Sequence, residues 1–258
     1  MRVLAIGDIF GNAGTDYVLK SLPRILSEYK IDFCIANGEN TSDRNGISRD
    51  IAENLRMSGV DVITMGNHTY DDPSGTAVLD EESYVIKPLN FNPEAEGIGY
   101  KVVDLGNVKV AVINLIGRVN LPPSNCPFHA VDRVLKNIDT NIVLVDIHAE
   151  ATSEKIAMAH YLDGRVSAVF GTHTHVQTAD ERILAGGTGF ICDLGMTGVL
   201  DSVIGVRKDI IIDFFTKPEK RHRFLNAEGD VWFNGCIFDI DESTGKTVNV
   251  ERLNFKGI

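Results

Sequence analysis

The side chains in this chain that can do chemistry recur at one kind of place. Asp8 follows the apolar run Val3–Gly7, Glu39 and Asn40 follow Asp32–Gly38, and Asn67 and His68 follow Val60–Gly66. His148 follows Ile142–Ile147, and His173 and His175 follow Val166–Thr172. In open α/β sheets, ligands collect just beyond the carboxyl ends of the strands. Five strand-like runs here each end in a metal-competent or proton-transferring group. Gly7, Gly38 and Gly66 precede the polar residue at three of the junctions, which allows close backbone approach. Taken singly, Asp8 fits a turn, Glu39-Asn40 a solvated loop, and His173-x-His175 a pair of surface histidines. Taken together they point to a metal site, since four of the seven histidines lie at these junctions. Carboxylate, amide and imidazole donors suit Mn, Fe or Zn rather than Mg or Ca.

Other motifs are weaker. Gly7-x-x-x-Gly11-x-x-Gly14 has neither G-x-G-x-x-G spacing nor the Lys-Ser/Thr of a P-loop. Asp8 inside it would repel a pyrophosphate unless a cation intervened. No G-x-S-x-G elbow is present. His129, His160 and His222 are not at strand ends; His160 falls in a helical pattern and His222 in the basic run Lys220–Arg223, and all three read as structure or solvated surface.

The elements that must position these residues alternate short apolar runs with helical patterns. Val18, Leu19, Leu22, Ile25, Leu26 and Tyr29 form an amphipathic stripe after a Gly-rich turn, with Pro23 expected to kink or split it. Ser48 is expected to cap a helix ending at Ser58, with Gly59 after it. Asp72-Pro73 reads as a cap followed by Pro at the first helical position. Thr152 or Ser153 is expected to cap a helix ending near Asp163-Gly164. Val108–Leu115, Ile142–Ile147, Val166–Phe170 and Gly189–Cys192 read as buried strands. Val231–Ile240 and Thr247–Leu253 read as an antiparallel hairpin. This order indicates an α/β fold with mixed sheets. No linker or repeat divides the 258 residues, so one domain spanning 1–258 is expected.

Lys and Arg total 25 against 36 Asp and Glu, a net charge of −11. Such a balance argues against tracking along duplex DNA, which needs a basic surface. It leaves open a single phosphate ester held in a metal-lined pocket. No apolar run approaches the roughly 18 residues that span a bilayer, and Asp8 interrupts the first apolar run before a signal-peptide core can form. Cys34, Cys126, Cys192 and Cys236 show no C-x-x-C pairing, and three of them lie in apolar runs as small hydrophobes. A cytoplasmic protein without membrane partners is expected.

The ordered set Gly7-Asp8, Gly38-Glu39-Asn40, Gly66-Asn67-His68, His148 and Gly171-Thr172-His173-Thr174-His175 resembles the motifs of calcineurin-like metallophosphoesterases. The blocks His148–Lys155 (HAEATSEK), Gly171–Asp180 (GTHTHVQTAD) and Gly195–Gly198 (GMTG) narrow the resemblance to the bacterial YmdB-like subfamily, over essentially the whole chain. The resemblance implies a four-layer α/β/β/α sandwich of two mixed β-sheets flanked by helices. It also implies two Fe or Mn ions per chain (or Zn), a homo-oligomer, and hydrolysis of 2′,3′-cyclic nucleotides or related small phosphodiesters, RNA ends included. Asp8, Glu39, Asn40 and His175 would hold one ion and Glu39, Asn67, His148 and His173 the other, with a shared water attacking phosphorus. His68 would assist the leaving group, and Gly11 and Gly14 would let the substrate approach the backbone. Two departures from the wider superfamily stand out: Asp8-Ile9-Phe10 lacks the histidine of D-x-H, and Glu39 replaces an aspartate. Asn40 would fill the missing place. Thr15 stands where a basic residue is expected after the Gly-rich segment. The competing readings are a phosphomonoesterase or protein phosphatase with the same metals, and a regulatory metal- and nucleotide-binding protein whose hydrolysis is incidental.

Overall fold

The computed structural model describes residues 1–42, 45–81 and 84–256. The first half runs β1 (Arg2–Ile6), β2 (Asp8–Ile9), α1 (Gly11–Tyr29), β3 (Phe33–Asn37), α2 (Arg49–Ser58), β4 (Val62–Thr64), α3 (Pro73–Glu81) and β5 (Val85–Ile86). It continues with β6 (Tyr100–Asp104), β7 (Lys109–Ile116), α4 (Pro127–Leu135), β8 (Ile142–His148), α5 (Thr152–Leu162) and β9 (Ala168–Thr172). The last part holds β10 (Arg182–Ile183), β11 (Gly189–Ile191), β12 (Met196–Val199), α6 (Lys208–Thr216), β13 (Val231–Ile240) and β14 (Thr247–Lys256).

These strands form two mixed sheets. The first is ordered β2-β12-β13-β1-β3-β4-β5 with β14 paired to β13, and the second β10-β11-β9-β8-β7-β6. Their stacking follows from the side-chain period of two along each strand. Val3, Ala5, Phe33 and Ile35 of the first sheet meet Val110, Val112, Ile142 and Leu144 of the second in a shared inner core. The alternate residues Leu4, Ile6, Cys34 and Ala36 face Val18, Leu22 and Ile25 of α1 and Leu55 of α2. On the far side, Ala111, Ile113, Val143 and Val145 face Val131 of α4 and Met158 and Leu162 of α5. The result is the expected four-layer α/β/β/α sandwich. Near-continuous apolar strands are what a sheet covered on both faces requires.

Register then sets the site. β1, β3 and β4 are parallel neighbours, with Ile6 beside Ala36 and Asn37 beside Thr64. β8 and β9 are parallel as well, with His148 beside Thr172. All five carboxyl ends therefore point the same way along their own sheet.

Several local expectations need correction. The Gly11–Gly14 segment is the first turn of α1 rather than a separate turn, and Pro23 lies inside one continuous 19-residue helix. Pro23 is exposed, so water can satisfy the carbonyl it leaves unpaired, while Val18, Leu22 and Ile25 hold the buried face. Ala151, with no side-chain cap, precedes α5 in place of Thr152 or Ser153. The Ser48 cap and the left-handed Gly59 stand as expected, with Ser48 accepting from the Ile51 amide. The cysteines are free thiols, three of them buried. No helix among the described residues is long and apolar enough to cross a membrane.

Close packing of β9 depends on Gly171, where a Cβ would overlap the Cys192 carbonyl oxygen. Gly171→Ala is expected to cost about 1–3 kcal/mol of stability through overpacking, seen as a lower urea midpoint with an unchanged slope.

Candidate metal centre and active site

The two strand-end sets meet. β12 runs parallel to β2, pairing Met196 with Asp8, so the Gly195–Gly198 segment holds Asp8 in place: the Asp8 amide donates to the Gly195 carbonyl at 2.9 Å and the Phe10 amide to the Thr197 carbonyl at 3.0 Å. Only then can the Asp8 carboxylate reach across 165 residues to accept the His173 amide at 3.1 Å. His175 Nε2 lies 3.7 Å from Asp8 Oδ1 and 3.2 Å from the Asn40 side-chain nitrogen. Around His148 Nε2 stand Glu39 Oε1 at 2.9 Å, Asn67 Oδ1 at 3.0 Å and His173 Nδ1 at 3.1 Å. Glu39 Oε2 also accepts the His68 amide at 2.9 Å. Thus Asp8, Glu39, Asn40, Asn67, His148, His173 and His175 come together at one end of the two sheets, with His68 beside them. Gly66 makes room: a Cβ there would overlap His148 Nε2 and Glu39 Oε2.

The three imidazoles are each turned by a second partner. Thr172 Oγ1 donates its only proton to Asp146 at 2.8 Å, so it accepts from His148 Nδ1 at 2.9 Å. His173 Nε2 donates to Glu150 at 3.1 Å, and His175 Nδ1 to the Ile204 carbonyl at 2.9 Å. Each ring thereby keeps its other nitrogen for the interior. Committing the outer N–H is how proteins orient metal-ligating histidines.

The backbone is strained where it matters. His173 and His175 have φ of 99° and 64°, a left-handed region that non-glycine residues seldom occupy. Their loop is held by Asp193, which accepts from the Thr174 amide and hydroxyl at 3.2 and 2.7 Å and from Lys155 at 2.6 Å. Strain at such a site persists only because the surroundings over-determine it.

Electrostatics point the same way. Burial alone would raise the Glu39 carboxyl, but the His148 charge and hydrogen bond bring it down to about 2. Burial would lower His148, but Glu39 and Asp8 lift it to about 9. Burial and the neighbouring His148 push His173 down to about 3. Burial raises the Asp8 carboxyl. A cation held between Glu39 and Asp8 would offset the burial that opposes their ionisation. Asp8 Oδ1 is buried with no hydrogen-bond partner, and Glu39, His148 and His173 offer donor atoms all within 4.8 Å of one another. This donor set fits a cation.

A cavity of about 510 Å³ opens here, lined by Glu39, Asn40, His68, His173 and His175. His68 Nδ1 pairs with Asp71 at 2.6 Å, and Asn45 lies 3.3 Å from the same ring. Phe10, where a D-x-H motif would have its histidine, packs edge-on against His175 with centroids 5.2 Å apart. Gly11 and Gly14 do not line this cavity. The Gly11 amide donates to the Asn40 carbonyl at 2.8 Å, and a Cβ at Gly14 would overlap the Thr197 carbonyl. The close approach they permit is to protein. Thr15 is buried and donates to the Thr41 carbonyl at 3.3 Å, so its position faces α1 packing rather than the cavity.

Several participants are not strand-end residues and escape that rule: Asp146, Lys155, Asp193 and Ile204; Thr172 ends β9 but carries no metal-ligating group. Lys155 and Thr172 do lie within the two long motif blocks.

The fold is metallophosphoesterase-like. Residues 4–253 match the model of the YmdB-like proteins, and the chain belongs to that family. It is 44% identical to a 2′,3′-cyclic-nucleotide 2′-phosphodiesterase of Bacillus subtilis, over 98% of this chain and 96% of that one. It is 35% identical to a putative phosphatase/phosphodiesterase of Mycoplasma pneumoniae, over 98% and 92%. The crystal structure of a hypothetical protein from Thermus thermophilus superimposes with a TM-score of 0.93 at 39% identity, over the full length of both chains.

The Lys155–Asp193 pair is almost fully buried on both sides. Lys155→Met would leave Asp193 buried without its counter-charge, a loss of about 3–5 kcal/mol. Lys155→Met combined with Asp193→Leu is expected to recover part of the stability but not the histidine loop. Chemical denaturation of both variants checks the first point, and cation binding by the double variant checks the second.

Proposed function

We propose that this chain is a metal-dependent phosphodiesterase acting on 2′,3′-cyclic nucleotides or related small phosphodiesters, RNA ends among them. One observation carries the reading. His148, His173 and His175 each commit one ring N–H outward, to Thr172, Glu150 and the Ile204 carbonyl, and turn the other nitrogen toward Asp8 and Glu39. Asp8, Glu39, Asn40 and His175 would hold one cation, and Glu39, Asn67, His148 and His173 would hold a second. Mn or Fe suits these donors. Such ions supply Lewis-acid polarisation of phosphoryl oxygen and lower the pKa of water. The Bacillus subtilis relative's activity supports the substrate class.

The chain's own residues then have defined tasks. Asn67 and Glu39 hold their places because His148 and the His68 amide fix them. Hydrolysis adds water across one P–O bond: a new O–P bond forms, the ester P–O bond breaks, and the departing oxygen takes a proton. His68 lines the cavity with Asp71 on Nδ1 and the Asn45 side-chain nitrogen 3.5 Å from Nε2, and Nε2 is the nitrogen that would serve that oxygen. The Mycoplasma pneumoniae relative, described as a phosphatase/phosphodiesterase, favours a second reading, hydrolysis of phosphomonoesters at the same centre. The ratio of activity on bis-p-nitrophenyl phosphate to p-nitrophenyl phosphate separates the two.

His68→Gln is expected to lower kcat by about 10²–10⁴-fold with metal content unchanged; full turnover in a metal-loaded variant would overturn its role. Exhaustive chelation should abolish hydrolysis of 2′,3′-cyclic AMP, and Mn²⁺ should restore it. Activity that survives chelation, checked by metal analysis, would remove the metal-dependent reading.

A further inference from the structure

The cavity wall is mixed: carboxylates and imidazoles line it together with the apolar Phe10, Ile204, Val206 and Phe224. Phe224 is 53% exposed, unusual for a phenylalanine that has an apolar cluster beside it. It stands against Phe214 of α6 with centroids 5.4 Å apart at 77°, and Phe214 in turn contacts Phe215 and His222. This aromatic cluster braces Phe224 from one side and leaves the ring on a cavity wall. Phe224 and Asn226 also border a second cavity of about 670 Å³, so the ring lies between the two hollows. Phe214, Phe215 and Phe224 have no ring contact with the groups of the hydrolytic centre described above.

We infer that Phe224 is a stacking platform for the nucleobase of the substrate. The inference rests on the phosphodiesterase reading and narrows it, from any small phosphodiester to one bearing a base. The geometry suits this ligand. A cavity of about 510 Å³ falls in the usual range for small-molecule sites, about 300–1,000 Å³. An anionic diester belongs beside the residues that would hold the cations, and a flat π-face belongs against the exposed ring. Stacking is tolerant of base identity, since every base has a π-face. The platform therefore selects nucleotides over simple diesters without selecting one base.

The test is a cycle between the side chain and the base. KM is measured for 2′,3′-cyclic AMP and for its abasic counterpart, methyl riboside 2,3-cyclic phosphate, with wild type, Phe224→Ala and Phe224→Trp. Stacking on an aromatic side chain implies a loss of about 5–150-fold per base on removal. Phe224→Ala is expected to raise KM for cyclic AMP by that factor with kcat within about twofold. Removing the base should raise wild-type KM similarly, and the two losses should not multiply. Phe224→Trp should restore the nucleotide KM. Losses that multiply, or a kcat loss shared by both substrates, would overturn the platform. Calorimetric binding of adenosine 3′-monophosphate and methyl riboside 3-phosphate, with Mn²⁺ present, reports the same coupling without turnover. Coupled binding without hydrolysis would keep the platform and remove the activity reading. Hydrolysis of both diesters without coupling would do the reverse.

Discussion

A single buried ion pair holds the reactive end of the molecule together. Lys155 reaches from α5 to Asp193 and neutralises a carboxylate that water cannot reach. Asp193 then accepts from Thr174 and from the Gly195 amide at 2.8 Å. Through those bonds it anchors both the loop with the two left-handed histidines and the segment that pairs with Asp8. A buried pair of this kind contributes little net stability because desolvation offsets attraction. Its contribution here is positional. An apolar replacement could fill the space but would supply no acceptors for the Thr174 and Gly195 groups.

The two sheets are joined by polar links as well as by their apolar core. Asp146 of β8 accepts from Thr64 of β4 at 2.5 Å and from Thr172 at 2.8 Å, and burial raises its carboxyl to about 6. Asn114 of β7 donates to the Met65 and Ile86 carbonyls at 2.7 and 3.1 Å. An apolar interface can slide, since the hydrophobic effect is non-directional. Directional bonds between the sheets near their carboxyl ends fix how β4 lies against β8. That fixes Asn67 against His148. The same Asp146–Thr172 link decides which His148 nitrogen faces inward, so the join between layers and the choice of donor atom are one arrangement.

The strand-end rule made most of the centre readable from sequence. It worked because Asp8, Glu39, Asn67, His148 and His173 follow strands whose apolar runs are plain, and parallel register carries their ends to one level. Resemblance over two long motif blocks supplied the rest of the family reading. What escaped did so for physical reasons. β2 and β12 are two and four residues long and carry little local pattern. Pro23 looks disruptive in a window of sequence, yet its face meets solvent. The glycines at 11 and 14 resemble a ligand loop, but their missing side chains admit Asn226 and the Thr197 carbonyl instead. Helix α6 has no buried residues, so its apolar composition suggested no position, and the aromatic cluster around Phe224 became visible only in three dimensions.

The sequence by itself determined the layers and the donor types. Alternation along a strand and the stripe along α1 are local properties, legible within a dozen residues. The carboxylate, amide and imidazole set was likewise written in the chain. Only the tertiary structure decided which atom of each side chain is offered. That choice depends on partners far away in sequence: His148 meets Asn67 across 81 residues, and the His173 amide meets Asp8 across 165. A ring nitrogen becomes available only when the other is engaged, and no local pattern encodes a partner brought in by a different sheet.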